Sequence, residues 1–295
     1  MSILKIARAA AFGGFVFVAG CTGATDGDAA GENEGQPEAK EEVTPQEIYF
    51  DTDRILLHEV YSGSNCGPCK GADELIQGIM DNNPDEYTAI HYQVGSDPYM
   101  SFESVARYCY YITGSPSCGY SIPYLHVDGV NGFHPVQVNN DVGYTQEDFD
   151  RFQSEPCHMR LEVTHEVTDQ TVDIEVTITA GDDYDSEDMV LQAAIIENTT
   201  HNNIGINEQT EFHHVMKKMV PDHNGTPLEP MVAGDVVTLN LSYTFNGEYN
   251  GETTRNDQVN HAVEHTVEQF DDLSVVVFVQ DNETQMVHQS AWDAY

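Results

Sequence analysis

Residues 55–70 read Ile55-Leu56-Leu57-His58-Glu59-Val60-Tyr61-Ser62-Gly63-Ser64-Asn65-Cys66-Gly67-Pro68-Cys69-Lys70. The apolar start predicts a short buried strand. Ser62-Gly63-Ser64-Asn65 has the composition of a turn. Beyond the cysteines, Ala72, Leu75, Ile76 and Ile79 recur at spacings of three and four. That spacing predicts one apolar face of a helix ending near Asn82. The cysteine pair therefore stands between a strand and the mouth of a helix. The thiolate is the form that attacks a disulfide, and a helix N-terminus favours an anion. Cys66 is the expected exposed nucleophile, and Cys69, one turn on, the expected resolving thiol. Pro68 suits a first helical turn, where a missing N–H costs nothing, and Gly67 is expected to let the sulfurs approach. Half of a zinc site is the competing reading, but no second Cys-x-x-Cys exists to complete it. A plain structural disulfide remains open.

Downstream, residues 87–94 read as a second strand, 102–112 as a second helix, and 122–127 as a strand led by Pro123 and closed by an Asp128-Gly129 turn. Residues 145–152 predict a short acidic helix. Strand and helix in alternation argue for an α/β domain over residues 44–156. The pattern then changes. Residues 161–167, 172–178 and 237–245 alternate with period two, while 190–196, broken by Gln192 alone, and 275–279 are apolar runs. Strands separated by Asp-, Asn- and Gly-rich loops predict an all-β, sandwich-like domain over 157–295.

Cys66-Gly67-Pro68-Cys69-Lys70 resembles the active-site string of thioredoxin. Ser121-Ile122-Pro123, followed by Tyr124-Leu125-His126-Val127-Asp128-Gly129, resembles the second signature of that family. The resemblance implies an α/β thioredoxin-like fold with Cys66 attacking, Cys69 resolving and Pro123 as a cis-proline facing them. It also implies that the backbone of Ile122, with Gly67 and Pro68, receives an extended substrate peptide. There are two departures. Asn65 stands where the family has an aromatic residue. The carboxylate expected beneath the cysteines has its nearest candidate in Glu59, one position off the usual spacing, so Glu59 is either the general base or a buried, ion-paired residue. The whole chain also resembles the lipoproteins of the 28-kDa outer-membrane-protein family, on residues 190–197, 212–215, 277–281 and 286–289. That likeness implies an outer-membrane location.

Upstream, Lys5 and Arg8 precede an apolar stretch of 11 residues, 9–19, too short to span a bilayer. It ends in Val18-Ala19-Gly20-Cys21, which resembles a lipobox. Residues 1–20 are thus expected to be a lipoprotein signal peptide and Cys21 the lipidated residue. Residues 21–43, rich in Gly, Ala, Asp and Glu, predict a flexible acidic tether. With 50 acidic and 11 basic side chains, the net charge is −39. Nucleic acid is disfavoured as a partner, and the membrane is expected to be met through the lipid anchor only.

Six cysteines occur. In an oxidising envelope two of Cys109, Cys118 and Cys157 should pair. Cys109 with Cys118 is preferred, with Cys157 the alternative partner of either. Thirteen histidines include His261 and His265, but valines at 259, 263 and 267 alternate with them and predict a strand rather than a metal-binding helix. No metal is expected, and no cofactor beyond the redox-active cysteine pair. Two functions fit these residues. One is an envelope thiol–disulfide oxidoreductase acting on protein thiols and disulfides. The other is an outer-membrane binding or structural lipoprotein that keeps a thioredoxin scaffold without redox turnover.

Overall fold

The structure is a computed structural model that describes residues 50–119, 121–136, 143–251 and 257–293. Cys21, the signal peptide and the tether lie outside the described residues. The first elements are β1 (Leu56–Ser62), α1 (Cys69–Asn82), β2 (Tyr87–Gln93), α2 (Phe102–Thr113), β3 (Tyr124–Val127), β4 (Asn131–Phe133) and α3 (Gln146–Gln153). They are followed by β5 (Met159–Thr168), β6 (Thr171–Ala180), β7 (Met189–Thr200), β8 (Phe212–Met219), β9 (Thr226–Pro227), β10 (Val236–Thr244), β11 (Glu248–Tyr249), β12 (Glu264–His265), β13 (Leu273–Asp281) and β14 (Val287–Asp293).

The main sheet runs β14-β13-β7-β8-β2-β1-β3-β4, with β9 beside β7. β1 and β2 are parallel and β3 is antiparallel to β1. β8 joins β2 in parallel through His91 and Val215. A smaller sheet, β10-β6-β5, is antiparallel throughout. The result is a mixed α/β fold with a central mixed sheet, consistent with a thioredoxin-like portion and a β-rich portion.

Strand alternation decides which layer each side chain meets. Leu56 and Val60 of β1 join Ile76 and Ile79 of α1 and Phe149 and Phe152 of α3 in one core. Leu57 and Tyr61 point the other way, to Val105, Tyr108 and Cys109 of α2. The same α2-side core continues over Ala194, Ile196, Val276 and Phe278. The opposite face of β7 and β13 is covered by the small sheet through Met159, Ile174, Val176 and Ile178.

The boundary read at 156/157 therefore does not separate two sheets: β7, β8, β13 and β14 extend the sheet begun by β1–β3. Apolar runs such as residues 275–279 predict strands buried on both faces, and α2 on one side and β5 and β6 on the other bury them. The alternating strands β5, β6 and β10 form a separate sheet that covers the main one, and β11 and β12 form a small two-stranded sheet of their own. The stretch around His261 and His265 is also not a strand. Val263 is exposed, and only Glu264–His265 pairs, in parallel with Glu248–Tyr249. Local bonds from Ala262 N–H to the Asn260 side chain and from Glu264 N–H to the Asn260 carbonyl form a turn instead.

Helix ends follow their sequence signals. Ser101 caps α2 by accepting from Ser104 N–H, and Gly114 closes it in the left-handed region at φ 65°. Thr145 and Asp148 form a capping box on α3. α1 differs: Pro68 at its N-cap makes no side-chain capping bond, and its first turn holds no acidic residue. The partial positive charge of α1 is thus left to the cysteines.

Candidate active site

Cys66 and Cys69 are joined as a disulfide at the mouth of α1, with Cα atoms 5.4 Å apart. Cys66 is half-buried and Cys69 fully buried. The turn is closed by Cys66 N–H donating to the Gly63 carbonyl at 3.1 Å and Cys69 N–H to the Cys66 carbonyl at 3.2 Å. Cys66 Sγ lies 3.8 Å from the carbonyl oxygen of Ile122, and the Ile122–Pro123 peptide is cis. The two signatures, separated by more than fifty residues of chain, thus meet at one end of β1. Gly67 and Pro68 are exposed beside them. Gly67 is not needed for close approach: a Cβ placed there meets nothing within 4 Å.

The loop before Cys66 is held from below and from the side. Asp97, fully buried, accepts from Ser64 N–H at 2.8 Å through Oδ2 and from Tyr99 N–H at 2.8 Å through Oδ1. Burial pushes its carboxyl above the usual range, and these bonds oppose that push. Asn65, in place of the aromatic residue, donates from Nδ2 to the Ser96 carbonyl at 2.8 Å. The departure from the thioredoxin string therefore has a local use: it pins the turn.

Glu59 does not lie beneath the cysteines. It points with Leu57 and Tyr61 to the α2 side, where Arg107 of α2 binds it at 2.8 Å. One position along a strand exchanges faces, and Val60 takes the α1 side. The carboxylate that does share the α1 side is Asp73. It follows Cys69 by four residues, one helical turn along the same buried face. Ser62 of β1 donates to its Oδ2 at 3.0 Å. Burial raises its pKa to about 7, opposed by Ser62 and Gln209. Asp73 also borders a cavity of about 360 Å³ lined by Lys70, Gln77, His91, Gln209 and His213, which connects it to solvent. Its only sequence signal was an acidic side chain inside the apolar stripe of Ala72 and Ile76.

A second group of residues had no signal at all. Residues 201–211, which connect β7 to β8, sit on the loop before Cys66. Asn207 N–H donates to the Ser64 carbonyl at 3.0 Å. Gly205 is so close that an added Cβ would lie 2.5 Å from the carbonyl carbon and oxygen of Ser64 and 2.7 Å from Asn65 Oδ1.

Cys109, one turn before the end of α2, is bonded to Cys118, which ties α2 to the segment leading into Ile122. Cys157 is a buried free thiol, and burial raises its pKa. Among the described residues no group of three or more His, Cys, Asp or Glu converges as metal ligands would, and no helix is long and apolar enough to cross a membrane.

No family model matches the chain, and no curated protein matches it. Solved structures do. HBP35 of Porphyromonas gingivalis aligns over 82% of this chain and 75% of its own, with 14% identity and a TM-score of 0.57. Protein AGR_C_4864 from Agrobacterium tumefaciens aligns over 82% and 95%, with 12% identity and a TM-score of 0.49. A domain of the outer membrane lipoprotein Omp28 from Porphyromonas gingivalis aligns over 47% and 88%, with 16% identity and a TM-score of 0.29. At 14% identity the likeness to HBP35 is one of fold alone, and it extends over both halves of this chain's mixed α/β architecture.

Proposed function

We propose that the protein is a thiol–disulfide oxidoreductase of the cell envelope, anchored by a lipid on Cys21 and exchanging disulfides with protein substrates through Cys66 and Cys69. The observation that carries this reading is the asymmetry of the pair: one sulfur half-exposed beside Ile122 and Pro123, the other fully buried on α1. In the reducing direction the Cys66 thiolate attacks one sulfur of a substrate disulfide. A Cys66–substrate bond forms, and the other substrate sulfur leaves as a thiolate. Cys69 then loses its proton and attacks Cys66 Sγ, releasing the second substrate thiolate and closing the Cys66–Cys69 disulfide. The substrate gains two electrons and the pair loses two. An external dithiol returns the pair to its reduced form, and no cofactor beyond the cysteines takes part. The reverse sequence oxidises substrate dithiols. Asp73 is the proton acceptor for Cys69 in this scheme, because its pKa near 7 suits transfer at neutral pH. Glu59 has no part in it.

Reduction of insulin disulfides in the presence of dithiothreitol tests the reading. Cys66→Ser should abolish acceleration over dithiothreitol alone, and Cys69→Ala should accumulate a mixed disulfide with the substrate. A Cys66→Ser variant as active as the parent would overturn it.

A further inference from the structure

Residues 201–211 are a built loop, not a slack connection. His201 and Asn202 N–H groups donate to the Glu268 carboxylate at 3.0 and 2.8 Å. Thr200 Oγ1 donates to Asn203 Oδ1 at 2.9 Å, with both residues fully buried. Gln209 N–H donates to Asn207 Oδ1 at 3.0 Å. Anchored at both ends and seated on Ser64, the loop nevertheless holds two isoleucines in water. Ile204 is 44% exposed and Ile206 74% exposed. They flank Gly205, which touches Asn65, the residue next to Cys66. Two large apolar side chains held in solvent by a hydrogen-bonded loop, next to a backbone seated on the cysteine turn, are placed to meet a partner rather than the core.

We infer that Ile204 and Ile206 form the docking wall for the substrate polypeptide and select segments with an apolar side chain within two residues of the reacting cysteine. The inference rests on the oxidoreductase reading and names its substrate class. The backbone between and beside the two isoleucines is seated on the loop that carries Cys66, through Gly205 against Ser64 and Asn65 and through Asn207 N–H on the Ser64 carbonyl, and half-buried Ile122 borders Cys66 itself. The charge of the chain points the same way. At −39 the protein repels acidic segments, so an uncharged apolar contact is the one that adds affinity without opposing the field. The loop belongs to the β-rich half, which gives that half a task at the cysteine pair.

The test compares turnover of three disulfides by the full chain under dithiothreitol. Two are 9-residue peptides carrying one cysteine as a mixed disulfide with a small thiol, flanked by leucines in one and serines in the other, and the third is a small organic disulfide. For the parent, kcat/KM should favour the leucine peptide over the serine peptide by about tenfold, the order expected for burying one or two aliphatic side chains. In Ile204→Ser/Ile206→Ser that preference should collapse to within about twofold. A parent that turns over the small disulfide but treats both peptides alike overturns the inference and leaves the oxidoreductase reading standing, as does a preference that survives the double substitution. A parent that turns over none of the three removes both. The peptide comparison on the parent needs no variant to fold.

Discussion

Glu59 and Arg107 hold each other inside the protein: Arg107 Nη2 donates to Glu59 Oε1 at 2.8 Å and to Oε2 at 3.0 Å, and each side chain is 1% exposed. Arg107 Nε adds a bond to Oε1 at 3.1 Å, Tyr92 OH donates to Oε1 at 3.0 Å, and Tyr111 OH donates to Oε2. Arg107 Nη1 reaches Gln280 of β13 at 3.1 Å. One ion pair thereby ties β1, β2, α2 and β13, elements from both halves of the chain.

Breaking that pair strands a buried charge. Arg107→Met should lower stability by about 3–5 kcal/mol, read as a shift of the urea midpoint at constant slope. Glu59→Gln/Arg107→Met should recover part of the loss, since a neutral amide leaves no charge uncompensated. An Arg107→Met protein as stable as the parent would show that the pair carries no structural weight.

Asp73 makes the opposite kind of prediction, one about pH. Its folded-state pKa, about 7, lies above the ordinary 3.8. The fold therefore holds the proton more tightly than the unfolded chain between these values, and Asp73 costs stability as pH rises from about 4 to 7. Asp73→Asn should be more stable than the parent above pH 7, by roughly 2–4 kcal/mol. The same variant should resolve mixed disulfides at least about tenfold more slowly, the low end of what a positioned base supplies, and lose the rate inflection near pH 7. If Asp73→Asn keeps that inflection, another group accepts the proton.

The contrast between Glu59 and Asp73 shows what the sequence carried and what it did not. Cys66, Cys69 and Pro123 were legible because two short strings fix them, and the helix face of Ala72 and Ile76 was legible from its period. The face that Glu59 occupies was not legible from its distance to Cys66 alone: the strand has period two, and a shift of one residue moves a carboxylate to another layer. Asp73 was hidden because a single polar residue in an apolar stripe reads as a flaw in the stripe until Ser62 is seen opposite it. The joint sheet was hidden because His91 and Val215 are paired across 124 positions of chain, a relation that no local pattern encodes. The alternating strands β5 and β6 were read easily because a tight turn joins them and one face of each is wet.

His58 predicts acid sensitivity. It stacks on Phe149 with centroids 5.8 Å apart, and its Nε2 lies 2.9 Å from Tyr144 OH. Burial lowers its pKa to about 4, against the pull of backbone bonds to Leu56 and Thr88. The imidazole is neutral in the fold, so its contribution is complete above the unfolded value of 6.5 and is lost as pH falls toward 4. In His58→Gln the slope of unfolding free energy against pH over this window should decrease by up to about 1.4 kcal/mol per pH unit. Denaturation series at pH 7, 6, 5 and 4.5 measure it, and identical slopes in the two proteins would place the acid sensitivity elsewhere.

Gly205, packed on the loop before Cys66, and Gly67, directly after Cys66, should respond in opposite ways. An alanine at 67 meets nothing, so Gly67→Ala should leave folding stability within about 0.5 kcal/mol of the parent. An alanine at 205 would stand 2.5 Å from the Ser64 carbonyl, backbone against backbone, where neither side has a rotamer with which to yield. The loop must lift, at a cost of about 1–3 kcal/mol, and with it goes the bond from Asn207 N–H to the Ser64 carbonyl. Asn65 then loses its neighbour, and the segment that presents Cys66 loosens. Amide hydrogen exchange at Asn207 should rise in Gly205→Ala and not in Gly67→Ala, and the rate of insulin reduction should fall severalfold in the first. Protection at Asn207 equal to that of the parent would mean that the contact between the β7–β8 loop and the cysteine loop is not maintained in solution.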